Sequence, residues 1–135
     1  MAPPRPLPLG ELAIVVCVLA LLAAILVPNF IKARARGQLT SCKSNLKNLG
    51  TALEMYARDN GGRYPRTMFA LTPNYLKVIP ECSFAGRDSY SATYRSAGAP
   101  AAYTFCCGGL HHKSAGITAP NYPQYTSTQG LVERP

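Results

Sequence analysis

The sequence predicts an α+β fold, in which one long N-terminal α-helix, membrane-spanning in its first half, packs on a small antiparallel β-sheet. An uninterrupted apolar run, an apolar stripe with helical spacing behind it, and two later segments rich in tyrosine and threonine support this prediction. We divide the chain into a short leader-like segment (1–6), a hydrophobic helix (7–31), an amphipathic continuation of that helix (32–62), and a small loop-rich globular domain that contains the sheet (63–135).

The hydrophobic helix is predicted from an apolar run. Every residue from Leu12 to Val27 is apolar, and the weakly polar stretch continues to Ile31. About 20 residues make ~30 Å of helix, which is enough to cross a bilayer. A buried core helix would need a larger surrounding domain than this chain supplies. A cleaved secretory signal would be shorter and would end at an A-x-A-type site. We therefore predict a membrane-inserted helix.

Glu11 is the only acidic residue before Glu54, and it lies in the first turn of the apolar helix. The helix dipole favours a carboxylate at this end, which is one interpretation. Bringing a charge into the lipid boundary costs about 3 kcal/mol unless the charge is paired. A second and compatible interpretation is therefore that Glu11 pairs with a cation.

The helix is predicted to continue to about residue 59. Asn60, Gly61 and Gly62 are suited to end it. An apolar stripe with spacings of three and four marks its buried face, and consists of Leu39, Cys42, Leu46, Leu49, Leu53 and Tyr56.

The globular domain is predicted to contain short elements. A helical turn is expected at 66–71, strands at 90–95 and 102–107, and a hairpin loop at 96–100. From Gly108 onward we expect mostly loop, with one edge strand near 116–118.

Five cysteines are many for a cytosolic chain of this length and favour an oxidising location; they are Cys17, Cys42, Cys82, Cys106 and Cys107. Cys17 lies in the apolar run and is interpreted as apolar filler. Adjacent cysteines seldom bond each other, which leaves two pairings: Cys42–Cys106 with Cys82–Cys107, or Cys42–Cys107 with Cys82–Cys106. We expect at least one disulfide that involves Cys82, which would contribute ~3 kcal/mol.

The residues favour neither a metal site nor an enzyme. Adjacent histidines on a glycine-rich loop cannot easily face one ion, so we expect His111 and His112 to be exposed to solvent. After Asp88 the only acidic residue is Glu133, which argues against a carboxylate-rich calcium loop. Motifs such as G-x-S-x-G are absent, so we predict no cofactor and no enzymatic activity.

The N-terminal helix carries a family resemblance. Glu11 and the apolar residues 12–16, followed seventeen residues after the glutamate by Pro28-Asn29-Phe30, resemble the start of type IV pilins and type II secretion pseudopilins. Residues 48–65 and 71–80 are similar to the segments that close the long helix and follow it in this family. The resemblance implies a filament subunit, a homopolymer built on an inner-membrane assembly platform, in which Glu11 pairs with the N-terminal amine of a neighbouring subunit.

One position departs from the family pattern. The family's prepilin peptidase cuts after a glycine five residues before the glutamate, and this chain has Pro6 there. The proline argues against processing by that peptidase and against methylation of the new N-terminus.

Two rules disagree about the orientation of the membrane helix. Arg5 precedes the apolar run, whereas Lys32, Arg34 and Arg36 follow it, so the positive-inside rule places the globular domain in the cytoplasm. The cysteines favour an extracytoplasmic domain. The resemblance implies the second arrangement, a single-pass inner-membrane protein before assembly and a periplasmic or extracellular filament afterwards.

Two alternative functions stay open. The formal charge of +8, with Tyr122 and Tyr125 in an expected flexible tail, suggests DNA binding by a competence-type pilin. Nucleic acid is the weaker candidate partner, because three of the basic residues lie beside the membrane helix. The charge asymmetry alone favours a membrane-anchored basic domain that forms no filament.

Overall fold

The structure, a computed structural model, describes residues 8–98 and 101–135. Its elements confirm the predicted α+β fold with one long helix and a small antiparallel sheet. They are the helix α1 (Leu9–Asp59) and the strands β1 (Arg95–Gly98), β2 (Ala101–Cys106), β3 (Gln124–Thr126) and β4 (Gly130–Val132). The leader-like segment with Pro6, and Ala99 and Pro100 of the predicted hairpin loop, lie outside the described residues.

The described chain forms two compact units that divide after Arg34, and α1 contributes to both. In the first unit, residues 8–34, every side chain is exposed. In the second unit, Ala35–Pro135, one face of α1 is buried in the core. The predicted stripe is confirmed, because five of its six members are buried and Tyr56 is half-buried.

The end of α1 at Asp59 agrees with the prediction. The Gly62 N–H donates to the Ala57 carbonyl at 2.7 Å, and the Asn60 N–H donates to the Tyr56 carbonyl at 3.0 Å. These bonds satisfy carbonyls that the last turn would leave without partners. Gly61 and Gly62 have φ angles of 65° and 81°, which glycine adopts without a steric cost.

Among the described residues the four strands form one antiparallel sheet in the order β1-β2-β3-β4. Phe105 in β2 lies opposite Tyr125 in β3, which lies opposite Leu131 in β4. Tyr103 and Phe105 alternate onto the buried face of β2, and their rings stack with Tyr125 at centroid distances of 6.3 and 5.6 Å. This aromatic layer joins the buried face of α1 in one core.

The predicted helical turn at 66–71 is confirmed as a 3₁₀-helix at Met68–Leu71, but the predicted strand at 90–95 is wrong over most of its length. The Asp88 carboxylate accepts the N–H groups of Tyr90 and Ser91 at 2.9 and 3.0 Å. These bonds start a 3₁₀-helix at Ser91–Thr93, so β1 begins only at Arg95 and takes up residues expected to form the hairpin loop.

After Gly108 the chain is mostly loop, as predicted, but the prediction of its strands is wrong. Residues 116–118 form no strand, because Gly116, at a φ of 90°, follows a 3₁₀-helix at Lys113–Ala115 and turns the chain. The segment expected to be loop instead supplies β3 and β4.

Candidate functional site

The first unit presents a continuous apolar helical surface. Its large hydrophobic side chains are between 50% exposed, at Val18, and 87% exposed, at Leu9. The helix is long and apolar enough to cross a membrane. Covering such a surface with lipid or other helices stabilises it by about 25 cal/mol per Å² of apolar area removed from water. The surface is therefore suited to a bilayer, to a bundle of like helices, or to both in succession.

Glu11 is placed in the first turn of α1, where its backbone N–H donates to the Pro8 carbonyl at 2.9 Å. Its side chain is exposed, and among the described residues it has no ion-pair partner. Pro28 lies within α1, and Phe30 is 70% exposed. The roles of these three residues in subunit pairing stay predictions.

A second site lies in the core of the globular unit, where three of the four cysteines predicted to form disulfides lie close to a histidine. The Cys82 Sγ lies 3.2 Å from the Cys42 Sγ and 3.3 Å from the Cys107 Sγ, and the His112 Nε2 lies 3.3 Å from the Cys107 Sγ. One ligand atom from each of these residues lies within 4.8 Å of every other, and all four residues are buried. We call these four residues the cysteine–histidine cluster.

Three separate parts of the chain build this cluster. Cys42 lies on the buried stripe of α1, and Cys107 directly follows β2. Cys82 opens a turn in which its N–H donates to the Arg87 carbonyl at 3.0 Å and its carbonyl accepts the Gly86 N–H at 2.8 Å. The cluster therefore forms only when the helix and both loops are packed.

His112 reaches the cluster through the loop after Cys107. Gly109 has a φ of 105° there, and a Cβ on it would lie 2.6 Å from the His111 ring, so glycine is required for this path. The His112 ring packs edge-on against Phe84 at a centroid distance of 4.9 Å. The expectation that both histidines face solvent is wrong for His112, which is 1% exposed because this loop folds inward.

The sulfurs of the cluster shift the pKa values of their neighbours. Hydrogen bonds from Cys107 and then Cys42 lower the pKa of the Cys82 thiol well below its ordinary value. Burial alone lowers the pKa of His112, but the Cys42 and Cys82 sulfurs outweigh it and raise that pKa to about 9. Because a pKa of about 9 keeps His112 protonated at neutral pH, the arrangement favours a thiolate at Cys82 close to an imidazolium.

Cys106, which both predicted disulfide pairings require, is not part of the cluster. It is half-buried and follows the buried Phe105, so the pleat of β2 turns it to the opposite face of the strand. The predicted disulfides stay predictions, and the structure brings Cys82 to Cys42 and Cys107 only.

The tyrosines predicted to lie in a flexible tail are placed differently. Tyr125 is in β3, and its ring stacks on Tyr103 and Phe105, so it is not free to stack on nucleic-acid bases. Tyr122, three residues earlier in the sequence, is half-buried.

His112 is the site residue that sequence reasoning missed. Its signal is the Cys107-x₄-His112 spacing, which lies within the range seen between zinc ligands. Of the two adjacent histidines only His112 belongs to the cluster.

A long N-terminal helix with an exposed apolar first half, and a small antiparallel sheet packed on its buried second half, define a pilin-like arrangement. The chain is 50% identical over 46 residues to the type IV major pilin protein PilA of Myxococcus xanthus, a match covering 34% of this chain and 21% of the relative. It is 32% identical over 82 residues to the type II secretion system core protein G of Klebsiella michiganensis, covering 59% and 57%. It is 39% identical over 70 residues to the type IV wide pilus major component PilA4 of Thermus thermophilus, covering 52% and 53%.

These matches confirm the resemblance to type IV pilins and type II secretion pseudopilins. The matched part spans about half the length of two of these relatives and about a fifth of the third. No protein-family model and no solved structure matches the chain.

Proposed function

We propose that this chain is a structural subunit of a type IV pilus or a type II secretion pseudopilus filament, polymerising through its N-terminal hydrophobic helix. The observation that carries the proposal is the exposed apolar surface of residues 9–31 with a single carboxylate, Glu11, in its first turn. The names of the three relatives support the same class of protein.

In this proposal two environments cover the apolar half of α1 in succession. In the membrane its side chains face lipid, and in the filament they face the corresponding helices of neighbouring copies. Both environments exclude water, so the same exposed aliphatic side chains suit both. Transfer between the two environments changes the neighbours of the helix but leaves its apolar area covered.

Glu11 gives the apolar bundle its register. A carboxylate buried among apolar helices requires a cation, because an unpaired buried charge is strongly destabilising. The N-terminal amine of a neighbouring copy would supply that cation at a fixed height and so set the stagger between subunits. Pro28 and Phe30 would lie in the same assembly helix, on surfaces that lipid covers before assembly and neighbouring copies cover in the filament.

The partners and location follow from this role. The chain would insert as a single-pass protein of the inner membrane with its globular unit on the extracytoplasmic side. An inner-membrane assembly platform would then extract it into a periplasmic or extracellular filament.

The test expresses the full chain in a cell that has a pilus or pseudopilus assembly system, and images sheared extracellular material for filaments that contain it. We expect the unchanged chain to form such filaments. Glu11→Gln should lower the yield by a factor of about 100 or more, since leaving one partner of a buried ion pair unpaired costs about 3 kcal/mol or more.

Glu81→Gln is the matched control, because it also removes one exposed carboxylate but lies in the globular unit. It should assemble like the unchanged chain, and both variants should reach the membrane fraction equally. Filaments of Glu11→Gln at normal yield would contradict the role of the carboxylate. An unchanged chain that never enters filaments would contradict the proposed function itself.

A further inference from the structure

We propose that Cys42, Cys82, Cys107 and His112 bind one Zn²⁺ ion as a tetrahedral Cys₃His site that ties α1 to two loops of the globular unit. This inference does not depend on filament assembly. It concerns how the globular unit holds itself together.

The donor set fits a soft divalent cation. Three sulfurs and one imidazole nitrogen form a common ligand set of structural zinc sites, which are four-coordinate and closed to water. Oxygen ligands, which Mg²⁺ and Ca²⁺ prefer, do not contribute to the cluster. All four residues are buried, so the site leaves no open position for a substrate and is structural.

The geometry of the cluster is close to that of a metal site. Tetrahedral coordination with Zn–S bonds of about 2.3 Å places sulfurs ~3.8 Å apart. The sulfurs here lie 3.2 and 3.3 Å from Cys82, and no ligand atom is more than 4.8 Å from another. Changes of about 0.5–1 Å in these separations would therefore bring all four atoms around one ion.

The surroundings of His112 also point to a ligand. Its Nε2 faces the Cys107 Sγ at 3.3 Å. A bond from Nε2 to a metal ion would supply the strong directional interaction that a buried imidazole ordinarily receives from an oxygen.

A disulfide explains the cluster less well. A bond between any two of the three sulfurs would leave the third thiol and the imidazole buried, each with only the other as a polar partner in the cluster. Cys106 cannot complete a second pair from the opposite face of β2. Four converging donors match the four positions of zinc, whereas three sulfurs are an odd number for disulfides.

Binding would change the protonation of the cluster. Zinc takes cysteine as thiolate and histidine as neutral imidazole, so each ligand thiol that is still protonated, and His112 in its imidazolium form, releases a proton to solvent as the ion enters. The complex of one Zn²⁺ with three thiolates carries a net charge of −1, shared among the sulfurs.

The experiment uses the full chain, purified in detergent through a tag that does not bind metal, from cells supplied with zinc. Elemental analysis should find about one zinc ion per chain. Replacing the zinc with Co²⁺ should give thiolate-to-cobalt charge-transfer absorption in the near ultraviolet and the intense visible bands of tetrahedral cobalt. The cobalt spectrum is measured on the unchanged chain, so it does not depend on any variant folding.

Matched variants separate the cluster from other thiols. Cys82→Ser and His112→Ala should each lower the bound zinc at least about tenfold, since loss of one ligand opens a closed four-coordinate site. Cys106→Ser removes a thiol outside the cluster and should retain a full equivalent of zinc.

Two results would overturn the proposal. One is an unchanged chain that holds no zinc and gives no cobalt spectrum. The other is zinc content that is the same in Cys82→Ser as in the unchanged chain.

Discussion

Two glycines in α1 have opposite surroundings. A Cβ on Gly50 would lie 2.5 Å from Cε1 and 2.7 Å from Cζ of Tyr125, whereas a Cβ on Gly37 would meet nothing within 4 Å. The Tyr125 ring packs beside Tyr103 and Phe105, at centroid distances of 6.3 and 5.6 Å, and these contacts limit how far it can move aside. At Gly50, α1 therefore lies too close to the sheet to leave room for a side chain.

We expect Gly50→Ala and Gly37→Ala to change stability in opposite directions. Alanine is favoured over glycine in a helix by about 1 kcal/mol, so Gly37→Ala should raise the free energy of unfolding by that amount. Gly50→Ala gains the same helical preference but forces the Tyr125 ring away, and overpacking costs about 1–3 kcal/mol. Chemical denaturation of the full chain in detergent measures both.

A second substitution at Tyr125 tests the cause. In a Tyr125→Ala background the ring is gone, so the added Gly50→Ala should no longer destabilise the protein. If Gly50→Ala is as stabilising as Gly37→Ala in the unchanged background, the close approach of helix and sheet is not as described.

The cysteine–histidine cluster shows what single residues reveal from sequence alone. Cys42 could be placed in the core because it falls on a periodic apolar stripe. Its proximity to Cys82 and Cys107 could not be predicted, since residues separated by 40 and 25 positions meet only through the tertiary fold. His112 was misplaced because local sequence does not show that the loop after Cys107 folds inward.

At the scale of elements, α1 combines two kinds of surface. All side chains in residues 8–34 are exposed, whereas its second half buries one stripe in the globular core. The first half therefore depends on an apolar environment that the globular unit does not provide. The second half is packed against the core of the globular unit.

A charge in the middle of the apolar run should disturb membrane insertion of the first half of α1 but leave the packing of its second half unchanged. Replacing Leu19 by Asp lowers the free energy gained by membrane insertion by about 3–4 kcal/mol, because leucine favours and aspartate opposes the bilayer centre. We expect Leu19→Asp to shift much of the chain from the carbonate-resistant membrane fraction to the soluble or degraded fraction.

Asn48→Asp is the control for that experiment, because it adds one negative charge to an exposed position of α1 outside the apolar run. It should remain in the membrane fraction. Equal extraction of the two variants would show that the apolar run does not determine membrane association.

The elements differ in how far the sequence predicts them. α1 was predicted almost to its ends because its apolar run and stripe are long, and because glycines mark its last turn. β3 and β4 have three residues each, too few for an alternating pattern to stand out. β1 begins later than predicted because the Asp88 side chain accepts hydrogen bonds from two backbone N–H groups. The strand propensities of single residues do not include such bonds.

At the scale of the whole molecule, the orientation of the globular unit is the prediction on which the sequence rules disagree. The basic residues after the apolar run favour the cytoplasm, whereas the proposed filament requires the opposite side. Native cysteines are poor reporters of this orientation, because Cys42, Cys82 and Cys107 are 0% exposed. A reporter thiol must be introduced on the surface.

Val78→Cys in a Cys106→Ser background supplies that thiol, since Val78 is 73% exposed and Cys106 is only half-buried. With the outer envelope opened and the inner membrane intact, we expect a membrane-impermeant maleimide to label the variant as fully as after lysis. The Cys106→Ser chain alone gives the background, because its buried thiols and Cys17 in the bilayer should not react. Labelling that requires lysis of the inner membrane would place the globular unit in the cytoplasm, and subunits with that orientation could not supply a periplasmic or extracellular filament.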